Sequence, residues 1–177
     1  MLMDRRTSLD PGAPIFKHMD FEGWLAFDGD VPVGRISAQI ERLNAECGRP
    51  DLGYFGMIDA VDDPAVWQAL TAQAESWLAE RGMKCVHGPF NLGVNQEVGL
   101  LIEGFETPPY FMMGHGCPYY PERLEEQGYQ GVQDLLAYEV STRFEAPLAM
   151  VKIIERLGER LVIRPINRKE RDKELAV

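Results

Sequence analysis

The sequence is short of several things. It has three cysteines in 177 residues, Cys47, Cys85 and Cys117, far apart and with no Cys-x-x-Cys pair. That excludes a disulfide framework and a zinc ribbon, and it suits a reducing, cytoplasmic setting. No stretch approaches the ~18 uninterrupted apolar residues of a membrane-spanning helix. The amino terminus has no apolar segment after its arginines, so it does not read as a secretory signal. Basic charge is scarce: the net charge is -10, and residues 1–142 hold 9 Lys/Arg against 22 Asp/Glu. A body this acidic repels nucleic acid and anionic membrane surfaces, so neither is an expected partner. There is no P-loop, no GxGxxG, no HExxH and no GxSxG. Residues 143–177 differ in sign, with 9 Lys/Arg and 6 Asp/Glu, and read as a solvated basic helix and a short strand.

What is present is an α/β (α+β) pattern. Residues 1–20 carry Pro11, Gly12 and Pro14 and read as an irregular arm. Trp24 to Phe27 is a short strand, Asp28-Gly29-Asp30 a turn, and Val31 to Ile40 the returning strand. Its alternation changes phase near Gly34, as a bulge would require. Tyr54 to Val61 is a buried strand. Asp63 then caps a helix with Pro64 at its first position, and Val66, Trp67, Leu70, Ala74, Trp77 and Leu78 form its apolar stripe. Gly82 ends it, and Met83 to His87 is the next strand, which makes a parallel crossover unit. A second helix is expected from about Tyr120 to Gln127, a strand from Gln133 to Val140, a third helix after Pro147, and a last strand from Leu161 to Ile166.

Residues 88–118 interrupt this order with glycines and prolines, yet carry many apolar residues. Such a segment is expected to pack over the sheet and to line a pocket. Its polar residues are Asn91, Asn95, Glu97, Glu103, Glu106 and His115. Glu97 or Glu103 is a candidate general base for an amine nucleophile. Turn formation and backbone hydrogen bonding are the plainer roles for Asn91 and Asn95. His115 with Cys117, Glu103 and Glu106 would be needed to hold a metal, and no metal is expected.

The segments WLAFDGDVPVGRISAQI and YYPERLEEQGYQGVQDLLAYEV, in this order and spacing, resemble the early hairpin and the late helix-Gly-aromatic-strand ending of the GNAT superfamily of N-acetyltransferases. The resemblance covers residues 20–142. It implies a central mixed, twisted sheet flanked by helices and an acyltransferase that moves an acyl group from acetyl-CoA to an amine on a small molecule or peptide. It also resembles a bacterial GNAT-like group with an insertion at 88–118 and a second such domain following, for which LVIRPINRKERDKELAV would be the opening. A homodimer or a partner GNAT-like domain is then the expected assembly.

Two departures qualify the likeness. The family's phosphate loop, of the form Arg/Gln-x-x-Gly-x-Gly/Ala, corresponds here to Val61-Asp62-Asp63-Pro64-Ala65-Val66. Pro64 removes an N–H donor, and two carboxylates stand where an anion should sit. The family's Tyr, four residues before the late glycine, corresponds to Leu124, so Tyr119 and Tyr120 are the substitutes for the proton donor. The other reading is a domain of this fold that has lost coenzyme binding and serves as a ligand-binding or interaction module. A third is a different enzyme built on the 88–118 segment.

Overall fold

The computed structural model describes residues 9–110, 113–141, 143, 145–160 and 164–175. The chain divides into two compact units, Met1–Leu135 and Leu136–Val177.

The first unit is a mixed α+β layer. Strands β1 (Met19–Asp28) and β2 (Val31–Glu41) form the expected hairpin, longer on its first arm than the apolar run Trp24 to Phe27. Gly29 takes φ +60° at the turn. The register slips between Ala26, opposite Gly34, and Phe27, opposite Pro32. Val33 is therefore the additional residue, next to the glycine where the alternation changes phase. Strand β3 (Leu52–Ala60) pairs antiparallel with β2. Helix α1 (Pro64–Ala79) crosses back to β4 (Cys85–His87), which runs parallel to β3 and completes the order β1-β2-β3-β4.

Helix α1 starts and stops where the sequence says it must. Asp63 Oδ1 accepts from Ala65 N at 2.9 Å, Pro64 fills the first position, and Gly82 follows the end at φ +83°. Trp67, Leu70, Ala74 and Leu78 are buried against Ile36, Ala38 and Phe55. Helix α2 (Tyr120–Glu126) adds Tyr120 and Leu124 to this core, and Gly128 follows it at φ +89°. The inserted segment does pack on the sheet in part: Leu92 is buried, and the Phe90 ring lies 4.9 Å from that of Tyr54.

The expected strand from Gln133 to Val140 is not formed. Residues 130–141 have no regular structure, and Leu135, Leu136, Tyr138 and Val140 are each at least 65% exposed. An apolar run becomes a strand only where a neighbouring strand supplies hydrogen bonds, and no described residue pairs with this segment.

In the second unit Pro147 precedes helix α3 (Leu148–Leu157), as expected, and α4 spans Arg171–Leu175. Of the expected strand Leu161 to Ile166, residues 161–163 lie outside the described residues, and Arg164, Pro165 and Ile166 have no regular structure. Among the described residues no helix is long and apolar enough to cross a membrane.

Candidate functional site

The parallel pair β3–β4 ends early. Its last partners are Tyr54 and His87, while β3 runs on to Ala60. In open α/β sheets, ligands collect beyond the carboxyl ends of the parallel strands. Here two groups of side chains meet the free part of β3.

The first group comes from the inserted segment. Phe90 N donates to Phe55 O at 2.8 Å. At the next turn of the ladder β3 bulges, with Met57 at φ +47° and a register shift against β2. The bulge turns the Met57 N–H out of the ladder, and Asn91 Oδ1 accepts it at 2.7 Å. Asn91 Nδ2 in turn donates to Glu97 Oε2 at 2.8 Å, and Asn91 N to Glu97 O at 2.9 Å. Gln39, fully buried on β2, donates to Phe90 O at 2.6 Å from below. The structure thus joins Asn91 to Glu97 in one brace that holds the bulge. Asn95 and Glu103 are exposed, and His115 is exposed with Nε2 3.2 Å from Thr107 O.

The second group comes from the start of α2. Tyr119 and Tyr120 lie side by side, ring centroids 5.1 Å apart, both edge-on to Trp67. The Tyr119 hydroxyl donates to Ala60 O at 2.8 Å, and the Tyr120 hydroxyl to Asp59 Oδ1 at 2.5 Å. Arg35 Nη2 lies 3.2 Å from the other Asp59 oxygen. One helical turn on, Arg123 Nε donates to Asp62 Oδ1 and Nη1 to Glu126 Oε1, both at 2.7 Å. These two hydrogen bonds hold the guanidinium firmly charged. Burial foremost, then the neighbouring Cys117 thiol and the charges of Asp62 and Asp59, push the Tyr119 phenol up to about 12. Burial and the bond to Asp59 push Tyr120 up as well. The site therefore offers two phenols that keep their protons and a carboxylate with its side chain 57% exposed.

Of the residues gathered here the sequence analysis named Tyr119 and Tyr120, as substitutes for a proton donor, and did not name Asp59, Arg35 or Arg123. Asp59 carried a readable signal: it is the one charge inside the apolar strand Tyr54 to Val61. Arg123 carried none, because its partner Asp62 is 61 residues away. Among the described residues no group of three or more His, Cys, Asp or Glu side chains is placed to hold a metal. The three cysteines are free thiols.

Two curated bacterial proteins are similar to this chain. Protein YghO of Escherichia coli (strain K12) is 41% identical over 178 residues, which cover 100% of this chain and 46% of that protein. A protein of Caulobacter vibrioides (strain NA1000 / CB15N) named Bacterial ceramide synthase is 44% identical over 179 residues, 99% of this chain and 46% of its own length. The chain thus spans about half the length of the curated relatives it matches. No family model matches the chain, and no solved structure does.

The raised phenols make an alkaline prediction. A group whose folded pKa lies above its unfolded value stabilises the fold below the unfolded value and ceases to as pH rises through the folded one. For Tyr119 that window runs from its ordinary 10 to about 12. Within it, the phenolate absorbance of the native protein should lag behind that of the denatured chain, and Tyr119→Phe should narrow the lag. Coincident titration curves for native and denatured protein would contradict the buried, hydrogen-bonded placement.

Proposed function

We propose that the protein transfers an acyl group to an amine, and that this chain supplies the end of the site that holds the amine. Three things support the reading. The mixed sheet with its crossover helix suits a GNAT-like fold. A relative carries the name ceramide synthase, and a ceramide is the amide of a long-chain amino alcohol. The observation that carries the reading is Asp59: a solvent-accessible carboxylate with one oxygen held by Tyr120 and the other beside Arg35, at the end of β3. An amine arrives protonated at neutral pH and has to lose that proton before it attacks. Asp59 attracts the ammonium and takes its proton, and Tyr119 and Tyr120 orient the head by hydrogen bonding.

The coenzyme phosphates do not fit the start of α1. Ala65 N is already bonded to Asp63, Pro64 has no N–H, and Asp62 would repel an anion. Arg123, which reaches Asp62 there, is held by two carboxylates. No step is therefore assigned to acetyl-CoA at that position. The same observation favours a second reading, in which this unit has given up the coenzyme and binds ligand or partner for a catalytic GNAT-like domain.

The test is amide formation by the intact protein from acetyl-CoA or palmitoyl-CoA with a series of amines. Under the first reading Asp59→Asn lowers the rate about a hundredfold or more, the scale of a lost general base. An unchanged rate in Asp59→Asn sinks the role given to this residue. No amide from any pair leaves the second reading.

A further inference from the structure

The sheet ends on one long bare edge. Strand β1 is ten residues long and pairs with β2 alone, whereas the strand at the opposite edge, β4, has three residues. At the foot of the hairpin Arg42 N donates to His18 O at 2.9 Å. The two-residue period of an antiparallel ladder then turns the backbone groups of Asp20, Glu22 and Trp24 toward β2. It turns the N–H and C=O of Phe21, Gly23 and Leu25 away from it. Gly23 N accordingly donates to the carboxylate of its own neighbour, Glu22 Oε1, at 3.2 Å. No described backbone group outside the sheet bonds to this edge. Natural edges are blunted by proline, by lysine or by a short strand. β1 has none of these, and Leu25 and Phe27 beside its bare groups are 61% and 56% exposed.

We propose that this edge is filled by β1 of a second copy, antiparallel and with Gly23 opposite Gly23, so that the two sheets run on as one. Charge fixes the register. A strand that pairs with itself about a two-fold axis centres on one of its own residues. Centred on Phe21, Glu22, Trp24 or Leu25, β1 sets acid against acid: Asp20 on Glu22, Glu22 on itself, Asp20 on Asp28, or Glu22 on Asp28. Centred on Gly23 it does not, because Asp20 meets Ala26, Glu22 meets Trp24 and Asp28 meets His18. The ends then attract. Exposed Lys17 comes to the turn that carries exposed Asp28 and Asp30, and no described residue is ion-paired with any of the three. Asp20 is already held by Arg42 of its own chain, and Arg81 lines the hollow beside Glu22. The same register covers the exposed apolar pair. Leu25 comes opposite Phe21 and Phe27 opposite Met19, on the face that these four share.

The test is made on the intact chain. Sedimentation over a concentration series should show monomer passing to dimer. The amides of Phe21, Gly23 and Leu25 should exchange more slowly as the dimer forms. Leu25→Glu should return the series to monomer and leave the circular dichroism unchanged, since that side chain is exposed. Opposed residues of a hydrogen-bonded pair lie about 5.5 Å apart at Cα, within disulfide reach. Gly23 has room for a side chain, its added Cβ standing 3.8 Å from Ile36 O, an ordinary contact. Gly23→Cys should therefore oxidise to a dimer linked through position 23, which mass mapping separates from links through Cys47, Cys85 or Cys117. A monomer at every concentration overturns the proposal. So does a dimer that withstands Leu25→Glu and forms no link through position 23, because the copies then meet elsewhere. So do edge amides that are already protected at the lowest concentration, because another segment of the same chain then fills the edge.

Discussion

A Gly56→Ala variant is expected to lose about 3 kcal/mol or more of folding stability. An added Cβ would stand 1.7 Å from Phe90 O and 2.6 Å from Phe90 C, both backbone atoms. Backbone cannot step aside as the end of a side chain does. Phe90 is fixed from both ends, its N–H to Phe55 O and its carbonyl to the buried Gln39 amide. Moving it leaves Gln39 without its best acceptor, at about 1–3 kcal/mol for a buried polar group. Overpacking adds about 1–3 kcal/mol. Asn91 moves with its neighbour, so the Met57 N–H loses its acceptor too. Denaturant unfolding should show the lower midpoint, and amide exchange should quicken at Met57, Phe90 and Asn91. An unchanged midpoint with unchanged exchange would mean that residues 88–99 do not rest on β3.

What the sequence made legible is what local chemistry dictates. The turn at Gly29, the cap at Asp63, the stripe of α1 and the stop at Gly82 each depend on a few neighbouring residues. All four appear in the structure. The phase change near Gly34 even located the bulge at Val33. Contacts across long separations were not legible. The Asn91–Met57 bond spans 34 residues, Tyr120–Asp59 and Arg123–Asp62 each 61. Nothing in local composition selects those partners. Gln133 to Val140 failed for the same reason in reverse: its apolar run suits a strand, but a strand is made by its neighbour. Of the candidate residues, Asn91 gives its side-chain oxygen to the Met57 backbone. Glu97 stands beside it in the same brace.

The tyrosine site depends on one side chain behind it, and Trp67→Ala should expose that dependence. Trp67 is fully buried, and its Nε1 donates to Val61 O at 3.0 Å. Its removal is expected to cost about 3–5 kcal/mol, the range for a large aromatic cut to alanine in a packed core. The loss does not stop at stability. Tyr120 and Tyr119 stand on the indole at 4.9 and 6.4 Å, so both phenols lose the wall that keeps water from them. Burial is the first cause of their raised pKa values, so their alkaline titration should move down toward the ordinary range. Trp67→Phe separates packing from hydrogen bonding. It keeps a ring behind the tyrosines and removes the N–H, and Val61 O keeps its bond from Asp63 N at 2.8 Å, so the cost should be smaller, about 0.5–1.5 kcal/mol for the lost hydrogen bond besides the lost volume. If Trp67→Phe keeps the high phenol titration while Trp67→Ala, folded at low temperature, loses it, the ring is what shields the site. If both variants titrate like wild type, the phenols owe their shift to Asp59 and Cys117, and the indole serves the core alone.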